Sequence, residues 1–172
     1  MNHGKAALRL DAEDNPILAA EEYEYAIVGK EATIEMFLNL AVIYFFSSWD
    51  FGFTSYYHLP HEFMKKAHER WRKVLDLAEE RFGHHSEIRF WRHYFLYISK
   101  GQENFDSACE AFANPTESLV PFFYLFSQSK GRKHRDEAEA LYQIVRDRTT
   151  ARKRYVEEIL RSRLKPGYGW PR

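Results

Sequence analysis

Residues 37–46 read FLNLAVIYFF, ten positions with one polar member, in a chain of 172 residues of which 29% are charged. The run can be a stub of membrane span, a core strand, or one helix of something repeated. A membrane helix needs about 20 mostly apolar residues. Here Glu35 stops the run on one side and Ser47-Ser48-Trp49-Asp50 on the other. The strict alternation of a half-buried strand is also missing. What remains is a helix spanning about residues 31–47. It is apolar around its whole circumference, and such a helix must be buried on every side.

Asparagine, proline and glycine punctuate the rest of the chain as helix ends do. Asn15-Pro16 pairs an N-cap with a proline at the first helical position, and Gly29 stands where a left-handed C-terminal residue is wanted. The first helix is therefore expected over 16–28. Residues 47–60, SSWDFGFTSYYHLP, have no periodicity and read as a loop. Pro60 opens a long helix that Gly83 closes. Within it Phe63, Met64, Ala67, Trp71, Val74, Leu75, Ala78 and Phe82 recur at three and four, an amphipathic pattern. Further helices are expected over 86–99, ended by Gly101, and over 104–113. Another starts at Asn114-Pro115 and runs to about 129, with Pro121 near its first turns. The next spans 134–146 and continues toward Leu164, since no glycine or proline interrupts it. The expectation is an all-α single domain of seven to eight helices, with a tail at 166–172.

Totals set outer bounds. Lysine plus arginine and aspartate plus glutamate number 25 each, so no bulk field draws in nucleic acid or membrane. The single cysteine, Cys109, forms no internal disulfide and suits a reducing compartment. The first fifteen residues lack an apolar segment of signal-peptide length. A cytoplasmic protein is expected. Aromatic residues make up 17% of the chain, and those rings must be buried somewhere.

The chain also repeats itself. Ala19-x3-Tyr23-x2-Ala26 recurs as Ala67-x3-Trp71-x2-Val74 and as Ala138-x3-Tyr142-x2-Val145, with a weaker copy at Ala108-x3-Phe112. Ahead of the second stands Phe37-x2-Leu40-Ala41-x2-Tyr44, and ahead of the weaker one Phe90-x2-His93-Tyr94-x2-Tyr97. The pattern resembles the tetratricopeptide repeat family, with W-x2-L-G-x2-Y on one helix, A-x3-F on the next and a period of about 34 residues. Small residues let paired helices cross closely, and large aromatics fill the holes of the next helix. From Ala19 to Ala67 is 48 residues, and the excess is the loop inserted at 47–60. The resemblance covers 16–146. It departs from the family at Tyr94, where a small residue is wanted, and at Pro121, where an aromatic is wanted.

The resemblance implies a right-handed stack of antiparallel helix pairs, an α-solenoid, with the first helix of each pair lining a concave groove. It places Leu38, Asn39, Val42, Phe45, Trp91, Arg92, Phe95, Ile98, Phe122 and Phe126 toward that groove. A groove so apolar wants covering by the chain's own loop or C-terminal segment, by a second copy, or by an amphipathic segment of a partner. The lysines of the carboxylate-clamp members are missing, which argues against an acidic C-terminus as ligand. Trp49, Phe51, Phe53, Tyr56 and Tyr57 make the 47–60 loop either a packed lid or a contact surface.

Chemistry finds little support. No glycine-rich phosphate loop or nucleophile elbow is present, and the acidic neighbours of Cys109 disfavour a thiolate. His58, His61, His68, His84 and His85 lack zinc-protease or di-iron spacing, and His93 reads as a core residue. No metal or cofactor is expected. Residues 147–165 carry many arginines and read as a polar capping helix, with a basic face for RNA or an acidic partner as the lesser reading. The function expected is a non-enzymatic protein-interaction module holding an apolar or amphipathic helix or peptide. The alternative is a self-contained helical domain that forms a homodimer or regulatory subunit.

Overall fold

Helix-start chemistry sets the order of elements in the computed structural model, which describes residues 2–48, 58–101 and 104–164. Nine helices and no strand occur among those residues: α1 (His3–Ala12), α2 (Pro16–Ile27), α3 (Ile34–Ser47), α4 (His61–Phe82), α5 (Ser86–Lys100), α6 (Phe105–Phe112), α7 (Pro121–Gln128), α8 (Arg135–Val145) and α9 (Ala151–Leu164). The expected roles of Trp49, Phe51, Phe53, Tyr56 and Tyr57, and of the tail, lie outside the described residues.

Asn15 accepts a hydrogen bond from the Leu18 amide (3.3 Å) with Pro16 in the first turn, so α2 begins where its sequence says. Gly83 (φ 70°) and Gly101 (φ 64°) supply the left-handed residues that end α4 and α5, a geometry that carries little strain without a side chain.

Three expectations are corrected. Residues 3–12 form a helix, capped by Asn2, whose Oδ1 accepts from the Lys5 amide at 3.0 Å. Asn114-Pro115 makes a turn rather than a helix. Asn114 Oδ1 takes both the amide and the hydroxyl of Thr116, and the helix starts only at Pro121. The last helix does not run on from α8. The chain breaks at 146–150, where Arg148 adopts φ 56°.

The contacts gather into two compact units, Met1–Gly83 with Thr149–Arg152, and His84–Arg148 with Lys153–Arg172. In the first unit α2 packs on α1, and α3 packs on both α2 and α4. Every α3 residue from Phe37 to Ser47 is buried. Leaving water contributes roughly 1.5–3 kcal/mol for each of the large apolar side chains. Phe45 meets Trp71 edge to face (5.5 Å, 87°), and Phe37 meets Phe82 likewise (5.7 Å, 80°). The small residues of the repeated triplets sit where packing needs them, with Ala19, Ala67 and Ala138 fully buried.

In the second unit consecutive helices from α5 to α8 pack on one another, and α5 also meets α7. Its core is a sheaf of rings. Phe90 stacks on Tyr94 (5.2 Å, 17°), Tyr97 on Phe105 (5.1 Å, 18°), and Phe105 stands edge-on to Tyr124 (4.6 Å, 61°). Residues 121–126 of α7 are buried throughout. Glu117 accepts the Ser86 amide (2.8 Å) at the start of α5.

Candidate functional site

The groove expected along Leu38, Asn39, Val42, Phe45, Trp91, Arg92, Phe95, Ile98, Phe122 and Phe126 is not open. Leu38, Asn39, Val42 and Phe45 are buried within the first unit, and Trp91, Phe95, Phe122 and Phe126 within the second. Only Arg92 and Ile98 are half-exposed. The physical reason is the one that made these helices conspicuous: an all-round apolar helix gains most when its own chain surrounds it.

Part of the cover on α3 is the C-terminal segment Thr149–Arg152, which belongs to the first unit. Asn39 Oδ1 accepts from Arg152 Nε at 2.9 Å, and Asn39 Nδ2 donates to Tyr23 Oη at 3.1 Å. Tyr23 in turn donates to Asp11 Oδ2 (3.1 Å), and Asp11 Oδ1 accepts the Ala151 amide (2.7 Å). Asp11, Tyr23 and Asn39 are 1%, 0% and 2% exposed. Burial and the Asp11 carboxylate together hold the Tyr23 phenol far above its ordinary value, so it stays a donor. A buried chain whose members are satisfied is rigid and specific to one arrangement. Its role is to clip the returning chain onto α1, α2 and α3. Asn39, expected in a binding groove, is a link in that clip.

A second polar cluster lies between α2, α3 and α4. Glu24 accepts the Tyr44 hydroxyl (2.7 Å) and pairs with Lys66 (3.2 Å) and Arg70 (2.9 Å). Burial alone would raise the Glu24 carboxyl. The Tyr44 hydrogen bond and the two cations outweigh it and hold the group below its ordinary value.

A concavity of about 660 Å³ lies where the first half of α1, the end of α2 and the start of α3 converge. Leu8, Tyr25, Ala26 and Met36 give it an apolar lining, and Lys5, Lys30 and Glu31 bring charge to it. Leu8 is 42% exposed and Tyr25 63%, whereas most of the large rings among the described residues are buried; Val28, just past α2, is 82% exposed. His3 lies against Tyr25 (5.0 Å) and pairs with Glu22 (2.7 Å). Gly4 of α1 lies against the flexible end of the Met36 side chain of α3, with a Cβ built there 2.4 Å from Met36 Cε. Arg81 fixes the α2–α3 turn through the carbonyls of Ile27 (3.3 Å), Gly29 (3.0 Å) and Lys30 (2.8 Å).

Of these lining residues the sequence marks only Ala26, as a repeat position, and Gly29, as a helix end, and none as a binding residue. The signal was there in part: an N-cap at Asn2, helix formers across 5–12, and Leu18 and Tyr25 standing outside the buried face set by Ala19, Tyr23 and Ile27.

The remaining candidates resolve into structure. His85 Nδ1 accepts the Glu87 amide (3.2 Å) at the start of α5, and His93 stacks on Phe112 (5.5 Å, 24°). Among the described residues no three His, Cys, Asp or Glu side chains converge as ligands of a metal would. Cys109 is buried, and burial together with Asp106 and Glu110 pushes its thiol up to about 12. On α9 and the turn before it, Arg148 and Arg161 pair with Glu157, and Lys153 with Asp147, so much of the basic charge is answered internally. No helix among the described residues is long and apolar enough to cross a membrane. Compared with protein-family models, with curated proteins and with solved structures, the chain matches none.

Proposed function

We propose that this chain is a non-enzymatic protein-interaction module of stacked helix pairs, similar in plan to tetratricopeptide repeats, that holds an apolar or amphipathic segment of a partner. The buried alanines of the repeated triplets and the packing of consecutive helices support the stacked plan. The observation that carries the binding role is the groove of α1–α3, where Leu8 and Tyr25 stay exposed beside a half-buried Met36. Exposed apolar residues gathered in a concavity are what recognition of a peptide or helix uses. The binding surface is the groove at the first half of α1, the end of α2 and the start of α3, apart from the buried residues of the inner helices.

Selection of random peptides on the immobilised protein tests this. Depletion on a Leu8→Asp/Tyr25→Asp variant removes peptides bound elsewhere. Enrichment of peptides that bind the wild type and not the variant is the expected result; no enrichment after repeated rounds contradicts the reading.

A further inference from the structure

The charges around the groove specify the chemistry of what it holds. Lys5 and Lys30 are exposed, and neither is ion-paired among the described residues. Glu31 is the one acid in the lining, and the nearby Glu22 is hydrogen-bonded to His3. The apolar surface between these groups, Leu8, Tyr25 and Met36, comes from three different helices, so it is a trough rather than a stripe. A trough fits a ridge, such as one face of a helix, better than a flat surface.

Resting on the interaction reading above, we propose that the α1–α3 groove binds an acidic amphipathic helical segment of a partner protein. The segment's apolar stripe sits on Leu8, Tyr25 and Met36, and its carboxylates face Lys5 and Lys30. Charge complementarity selects this occupant over the others. A basic segment would meet two unanswered cations. A second copy joined about a two-fold axis would set the same patch against itself, with two lysines and one glutamate on each side, so that cations outnumber acids across the contact. Opposite charge at the rim speeds encounter and fixes register, while the apolar contact holds the complex.

The probe is a synthetic helix-forming peptide of about 18 residues, long enough for several turns, with apolar residues at i, i+3, i+4 and i+7 and glutamates on both flanks. Its control carries lysine for every glutamate. Binding is read by fluorescence anisotropy. The acidic peptide is expected to bind at least about tenfold more tightly than the basic one, a gap that narrows when salt is raised from about 0.05 to about 0.5 M. The Lys5→Glu/Lys30→Glu variant is expected to reverse the preference. Both lysines are exposed and unpaired, so this variant keeps the wild-type melting temperature, which is checked in parallel.

Equal binding of the two peptides, lost in Leu8→Asp/Tyr25→Asp, overturns the acidic specificity and leaves the interaction reading standing. Absence of binding by either peptide overturns the inference, and the random-peptide selection then decides the interaction reading separately. Self-association in sedimentation velocity that the groove variant abolishes would put a second copy in the groove and overturn the proposal. So would groove-dependent binding to vesicles of anionic lipid.

Discussion

Helices α2 and α3 lie against each other, and the apolar residues of α3 and those on the outer side of α2 have opposite fates. On α3 the apolar residues leave no polar face, and Phe37 through Ser47 are all buried. On α2, Ala19, Ala20, Tyr23 and Ile27 form the buried face, while Leu18 (45% exposed) and Tyr25, with Val28 just past the helix end, stand outside it. The difference teaches how to read greasy sequence. An all-apolar helix is solved by its own fold. An apolar residue misplaced on the wet face of an otherwise ordinary helix is the one the fold has left unsolved. The binding surface is therefore sought beside α2 rather than along α3.

The sharpest way to break this contrast is to truncate one ring from each side. Phe45→Ala removes a fully buried ring that abuts Trp71, and is expected to destabilise the protein by about 3–5 kcal/mol in urea unfolding. Tyr25→Ala, by contrast, is expected to shift stability by less than about 0.5 kcal/mol. Comparable losses in the two would erase the distinction.

The clip that closes α3 gives the next effect. Asp11→Ala leaves the Ala151 amide and the Tyr23 hydroxyl without their acceptor in a buried place, at a cost of about 1–3 kcal/mol. Hydrogen exchange at the Ala151 amide is expected to quicken more than the global loss accounts for. Unchanged protection there would mean that the 149–152 segment is held by other contacts.

Smaller still is the Glu24 cluster. Its carboxyl lies below the ordinary value of 4.5 in the folded protein, so the cluster's contribution is fully present above about pH 4.5 and is lost as pH falls through the lower folded value. Glu24 is partly exposed, and solvent screening limits Glu24→Gln to about 0.5–1 kcal/mol at pH 7. The difference from wild type should shrink as unfolding is measured at successively lower pH below 4.5. A difference that persists into strong acid would show that shape, not charge, makes the cluster.

These contrasts also show what the sequence could teach. The all-helical class, the start of α2, the ends of α4 and α5, and the burial of α3 follow from caps, glycines and periodicity, all local signals; Gly29 follows α2 without the left-handed backbone expected of it. Helix α1 has local signals too, a cap at Asn2 and helix formers over 5–12, but it lacks the apolar periodicity that marks the longer helices. The clip joins Asp11 to Ala151, residues 140 apart in sequence, and no local pattern announces such a contact. The break at Arg148 was hidden for the same reason, since it relies on a left-handed arginine rather than on glycine or proline. The repeat plan placed the inner helices correctly as apolar. It then assigned a groove to them because family analogy carries the open concave face along with the pattern, whereas here the chain folds back over part of that face.

The most direct test of the central claim measures folding and binding together in the Leu8→Asp/Tyr25→Asp variant. Both side chains are exposed, so the account predicts a melting temperature within about 2 °C of wild type. It also predicts at least about a tenfold loss of affinity for the acidic amphipathic peptide. A variant that binds as the wild type does, or one that unfolds because those side chains turn out to be core, would contradict it.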